Sequence, residues 1–153
     1  MELIALQQPM AKDLRIIGTI LKAITDLERM GDHAVNIAKQ TELIGEEPFI
    51  KPLVDIPRMA RLSEDMVAKA LDSFMKEDVE LAKEVARDDD AVDEIYESIY
   101  TELMELMIHD QKIIKQAIHL LLIGRFLERI ADHSTNIGER VIYMITGERV
   151  EIN

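Results

Sequence analysis

Glu28-Arg29-Met30-Gly31-Asp32-His33-Ala34-Val35-Asn36-Ile37-Ala38-Lys39 returns one hundred residues later as Glu128-Arg129-Ile130-Ala131-Asp132-His133-Ser134-Thr135-Asn136-Ile137-Gly138-Glu139. Glu, Arg, Asp, His, Asn and Ile recur at identical offsets, and five of these six are polar. A duplicated core would mainly repeat apolar positions, so shared polar residues point to a repeated site. The plainer reading is a duplicated helix that keeps an ancestral surface.

Each copy sits in a long proline-free stretch with apolar residues at helical spacing. Around the first copy these are Leu14, Ile17, Leu21, Ile24, Leu27, Ala34 and Ile37, which predicts one helix from Met10 to about Ile44. Pro9 suits a helix start, and residues 1–8 read as the end of a preceding helix. Residues 45–57 hold three prolines and a glycine and read as a loop. Asp55 and Pro57 mark the next helix, which runs to about Met75 with Met59, Ser63, Met66, Ala70 and Phe74 on one stripe. Asp78 can cap a third helix carried by Val79, Ala82, Val85, Val92, Ile95, Ile99, Leu103 and Leu106. His109-Asp110 reads as a break. A last helix then spans about Lys112 to Thr146, and Gly147 fits its C-terminal stop. Stripes of this kind pack nearly antiparallel, so the expected fold is all-α: an elongated antiparallel helical bundle.

Composition agrees. The 153 residues are 48% hydrophobic and 31% charged, with six glycines, four prolines and 4% aromatics. That balance favours helices over strands and is long enough for one domain with its own core. The net charge of −12 opposes nucleic acid and anionic membrane surfaces, and it suits cations or a basic patch on a partner. There is no cysteine, so disulfides and thiolate metal sites are excluded; this fits a reducing cytosol. No apolar run approaches the roughly 18 residues of a membrane span, and Met1-Glu2-Leu3-Ile4-Ala5-Leu6 does not read as a signal peptide.

At about 100° per residue, Glu128 and Asp132 lie one turn apart on the same side of a helix, with Asn136 and Glu139 in the same sector. His133 projects away from Glu128 and reads as a packing or supporting residue. Residues 87–94, Arg-Asp-Asp-Asp-Ala-Val-Asp-Glu, are ordinarily a solvated face. Here, however, the apolar stripe passes beside Asp88 and Asp89, and Asp89 and Asp93 are again one turn apart. If these helices are antiparallel neighbours, four carboxylates meet across a groove. Oxygen donors suit magnesium, calcium, manganese, iron and sometimes zinc. Without a cation such carboxylates repel one another and are driven toward protonation.

Taken together these residues resemble the PhoU family. The likeness includes Gln7-Gln8-Pro9-Met10-Ala11-Lys12-Asp13-Leu14-Arg15, which is similar to the family's stretch ahead of its long third helix. It also includes the repeated E(D)xxxD motif at Glu28 to Asp32 and Glu128 to Asp132, with alanine at position 131 where glycine is commoner. The resemblance covers essentially the whole chain. It implies two three-helix repeats, of which residues 1–46 form an incomplete first and residues 57–153 a complete second, because the family carries about two more helices ahead of Gln7. It implies metal binding by Asp89, Asp93, Glu128 and Asp132, with Glu28 and Asp32 as the first repeat's half site. The metal would be iron, zinc, manganese or magnesium, in a multinuclear cluster. It implies a non-enzymatic cytoplasmic adaptor that represses the phosphate-starvation response by linking the phosphate ABC transporter ATPase to a sensor histidine kinase. It also implies a homo-oligomer with only indirect membrane association.

Two other classes compete. A di-iron carboxylate enzyme or iron-storage bundle would use Glu-x-x-His on facing helices, and none of His33, His109, His119 and His133 has a glutamate three residues before it. A purely structural bundle would bind no ion. No Gly-rich phosphate loop is present, Ser63, Ser73, Ser98 and Ser134 lack nucleophile context, and the nine methionines suit core filling. The resemblance also leaves the stripe Leu14, Ile17, Leu21, Ile24 and Leu27 without the two earlier helices that would cover it. Self-association through residues 10–44 is therefore expected.

Overall fold

The computed structural model describes residues 10–151; the helix end expected over residues 1–8 lies outside them. Four long helices make up the described chain: α1 (Ala11–Ile44), α2 (Asp55–Lys76), α3 (Val79–His109) and α4 (Ile114–Thr146). Among the described residues there is no strand. At 1.5 Å per residue α1 alone is about 50 Å long, so the bundle is elongated.

Each boundary has a local cause. The Met10 amide donates to Asp13 Oδ2 at 3.1 Å at the start of α1, and Gly45 ends that helix with a φ of +67° that L side chains disfavour. Asp78 caps α3 as its sequence position suggests, its Oδ1 accepting from the Leu81 amide at 3.0 Å. The preceding turn rests on Glu77, a non-glycine residue in the left-handed region at φ +50°, for which residue type offers no signal. The break at Asp110 becomes a single 3-10 turn, Gln111–Ile113, so α4 begins two residues later than its pattern suggested. The third proline of the loop, Pro57, falls inside the first turn of α2, where its missing N–H costs nothing.

α4 is the centre of the bundle. It packs against α1, α2 and α3, whereas α1 packs chiefly against α4. The α2 stripe Met59, Ser63, Met66 and Ala70 is fully buried, with Phe74 partly so, and the α3 stripe from Ala82 to Leu103 is buried with it. Two α4 glycines let helices approach. A Cβ on Gly138 would stand 3.0 Å from the Ala82 carbonyl, and one on Gly124 would meet the Tyr96 ring at 3.0 Å. These contacts run opposite ways along α3 and α4, so the two are antiparallel.

α1 crosses α4 antiparallel as well, through contacts that the repeat interchanges. His133 Nδ1 meets Asp26 Oδ1 at 3.1 Å, and the equivalent His33 stacks on Phe126, the counterpart of Asp26, at 5.7 Å. Thr19 Oγ1 donates to the Arg140 carbonyl, and their counterparts His119 and Gln40 also touch, at 2.7 Å. α1 and α4 are thus related by a local two-fold axis.

That symmetry exposes an imbalance. The outer face of α1 carries Leu14, Ile20, Leu21, Ile24 and Leu27, all exposed; Leu21 is 58% and Ile24 56% accessible. Of their α4 counterparts, Leu120 and Leu127 are buried at 1% and 6%, Leu121 is half-buried and Gly124 buried, while Ile114, the counterpart of Leu14, is exposed. Of the stripe read from the sequence, Leu14, Leu21, Ile24 and Leu27 are thus exposed among the described residues, whereas Ile17 is half-buried.

Candidate functional site

The groove between α3 and α4 holds the second-repeat carboxylates. α3 presents Asp89 and Asp93 one turn apart; Asp89 is buried and Asp93 exposed. α4 presents Glu128 and Asp132, both partly buried. Asp93, Asp132 and Glu128 feel one another's charge. Burial pushes the Asp93 carboxyl above its ordinary range, and the charges of Asp132 and Asp90 push it further, against Arg125. Burial likewise raises Glu128, with Asp132 and Asp93 adding to it and Arg125 opposing. Carboxylates of α3 and α4 thus lie close enough to disfavour one another's ionisation, as a secondary effect beside burial.

Two arginines absorb part of that charge. Arg125 pairs with Glu128 at three residues' spacing, and Arg129 Nη1 reaches Asp132 Oδ2 at 3.3 Å in the same way. Among the described residues no three His, Asp or Glu side chains stand together as a ready cage for a metal ion. Asp93, Glu128 and Asp132 feel one another across α3 and α4, but among the described residues the four carboxylates do not converge into a cage for one ion, as their spacing had suggested they would. Guanidinium groups hold two of them. An i,i+3 search from Glu128 would have found Arg125, because such pairs are neighbours on a helix surface. Asp88, which the acidic run also offered, is tied to Lys69 at 2.6 Å.

The first-repeat pair is elsewhere. Glu28 and Asp32 are exposed on the outer face of α1, turned away from Asp26 and Met30, which face α4. They do not approach Asp89, Asp93, Glu128 or Asp132. The repeated histidines have a different use again. His133 is buried against Asp26, whose second oxygen pairs with Arg140, and His33 stacks on His133. This network locks the two repeats together. It leaves His133 in packing, as its direction suggested. Asp26 was invisible as a partner because it lies 107 residues away in the chain.

The donor chemistry fits a hard cation. The side chains offered there are carboxylates, and Asp93 and Glu128 are held above their ordinary pKa first by burial and then by neighbouring carboxylates that Arg125 does not fully offset.

A duplicated long helix at the heart of an all-α bundle, with paired carboxylates in its groove, defines a class of helical-bundle protein with acidic motifs. The PhoU domain profile matches residues 1–41 and 56–141. The chain belongs to the PhoU family. It is 41% identical over 149 residues to the phosphate-specific transport system accessory protein PhoU homolog of Deinococcus radiodurans, covering 97% of this chain and 70% of that protein. The homolog of Aquifex aeolicus is 46% identical over 149 residues, with 97% and 67% covered. The crystal structure of PhoU from Pseudomonas aeruginosa superposes with a TM-score of 0.90 at 37% identity, covering 96% of this chain and 71% of that one. The PhoU regulatory protein of Streptococcus pneumoniae gives 0.87 at 34% identity, with 95% and 69% covered. No helix among the described residues is long and apolar enough to cross a membrane.

Proposed function

We propose that this chain is a metal-binding, non-enzymatic accessory protein of phosphate transport. It acts in the cytoplasm as a negative regulator of the phosphate-starvation response. Family membership and the relatives' names support the phosphate-transport role. The observation that carries the metal-binding part is the mutual repulsion of Asp93, Glu128 and Asp132 across the α3–α4 groove. Asp89, Asp93, Glu128 and Asp132 would hold iron, zinc, manganese or magnesium as one ion or a small cluster, with Arg125 and Arg129 swinging aside. Bound there, the cation would neutralise the groove and clamp α3 to α4. Glu28 and Asp32 would serve a second site once another helix covers the outer face of α1.

The partners in this reading are the phosphate ABC transporter ATPase and a sensor histidine kinase, reached without direct membrane insertion. The uncovered α1 stripe supports self-association of the chain. A di-iron enzyme is less well supported, since His33 and His133 lie in the α1–α4 interface and His119 on Gln40, away from the groove. The deciding experiment is a pull-down of both partners with metal-loaded and metal-stripped protein, alongside elemental analysis of protein purified without added metal. Failure to retain any metal would sink the metal reading; failure to retain either partner would sink the adaptor reading.

A further inference from the structure

A second concave site lies where the start of α1 meets the end of α4. It is a cleft of about 820 Å³, floored by Thr19 and Tyr143. In a chain of net charge −12, its walls gather four cationic side chains: Arg15, Lys22, Arg140 and Arg149. Among the described residues the carboxylates on its lining are Glu139 and Glu151.

The cations are differently placed. Arg140 is committed to the buried Asp26. Arg15 is anchored by its Nε, which donates to the Met144 carbonyl at 3.3 Å, and this fixes its stem against α4. Arg149 lies over the Tyr143 ring with its guanidinium carbon 6.0 Å from the centroid, placed there by the reversal at Gly147, whose φ is +80°. Lys22 and Arg149 carry no ion pair among the described residues. Positive charge is thus held in a concave, partly apolar wall with two cations uncommitted, on a protein whose overall field repels anions.

We infer that this cleft docks an acidic segment of a partner protein, with carboxylates set against Lys22, Arg15 and Arg149 and apolar side chains against Tyr143 and Val150. Size decides for a peptide over a free oxyanion. The wall from Ala11 to Lys22 runs about 16 Å at helical rise, the span of about five extended residues. A single phosphate would leave most of that wall, including its apolar part, uncovered. Opposite charge on the partner would select the encounter at short range, against the repulsion of the protein's overall field. The inference goes beyond the metal reading and does not depend on it, since none of the groove carboxylates lines the cleft.

The test is fluorescence anisotropy on the full chain in EDTA, so that failure of the metal reading cannot affect it. The probe is a labelled peptide of about five alternating glutamates and leucines, matched to the cleft. Saturable binding is expected. Lys22→Glu with Arg149→Glu should weaken it about ten-fold or more, while Lys83→Glu with Lys115→Glu, an equal charge change outside the cleft, should leave it unchanged. All four positions are exposed, so neither double variant disturbs the core. Millimolar inorganic phosphate should leave the peptide bound. No saturable binding, equal weakening in both double variants, or full displacement by phosphate overturns the inference.

Discussion

His33 and His133, one hundred residues apart and equivalent in the internal repeat, stack on each other across the α1–α4 interface, with centroids 5.7 Å apart and planes inclined by 21°. The local two-fold passes between the two copies of the motif, so the same residue type meets itself. The environments differ at one position. His133 finds a carboxylate in Asp26, whereas the counterpart of Asp26 is Phe126, and among the described residues the buried Nδ1 of His33 has no hydrogen-bond partner.

That asymmetry gives a pH dependence. Burial lowers the pKa of His33 below its ordinary 6.5, and His133, Arg129 and Arg29 lower it further while Asp32 opposes them. A depressed value in the folded state contributes stability that is present above the ordinary value and lost as pH falls through the folded one. Thermal melts should therefore drop as pH falls from neutral toward about 5. His33→Phe, which keeps a ring in the stack, should flatten that slope. Equal slopes in wild type and variant would remove His33 as the cause.

Asp26 is 4% exposed and serves both Arg140 and His133. Asp26→Ala leaves the buried His133 and the partly buried Arg140 without their shared carboxylate, which should cost about 2–3 kcal/mol in urea unfolding. Asp26→Asn keeps the shape and part of the hydrogen bonding and should cost less. A loss below 1 kcal/mol in Asp26→Ala would mean that water replaces the carboxylate freely.

The groove carboxylates behave oppositely to His33. Asp93 and Glu128 are raised in the folded state, so they help stability only when protonated, and that contribution is lost as pH rises through their folded values. At neutral pH they are a burden, and Asp93→Asn or Glu128→Gln should melt slightly higher than wild type without metal. With manganese at one hundred times its dissociation constant, wild type should gain about 2.7 kcal/mol and the variants much less. Equal metal-induced shifts in all three proteins would exclude these residues as ligands.

Two glycines of the duplicated helix should respond with opposite signs to the same substitution. Nothing stands near a Cβ on Gly31, so Gly31→Ala should stabilise by about 0.5–1 kcal/mol through helix propensity. A Cβ on Gly138 would press on the Ala82 backbone carbonyl at 3.0 Å, so Gly138→Ala should destabilise by about 1–3 kcal/mol. Chemical denaturation reads both. A stabilised Gly138→Ala would show that α3 and α4 can separate at little cost.

The exposed α1 stripe predicts association. Large aliphatic side chains left in water forgo about 1.5–3 kcal/mol each relative to burial. Light scattering at low micromolar concentration should find dimers or larger species, and Leu21→Glu with Ile24→Glu should shift the chain to monomer. A monodisperse wild-type monomer would refute this.

Periodicity alone determined the helices. The apolar spacings of α2 and α3 name their buried stripes because a helix turns by a fixed angle per residue, and Asp78 and Gly147 mark ends by chemistry that acts within one turn. The repeat at Glu28 and Glu128 was equally legible, and so were the one-turn carboxylate pairs. What the sequence could not assign was the use of each repeated residue. Glu128 and Asp132 face a groove with α3, while Glu28 and Asp32 face outward on α1. Identical motifs acquire different surroundings because α2 and α3 cover α4 and not α1. The partners Asp26, Arg140 and His133 were hidden for the same reason. Contacts between residues more than one hundred positions apart depend on how helices cross, and neither spacing nor composition encodes that locally.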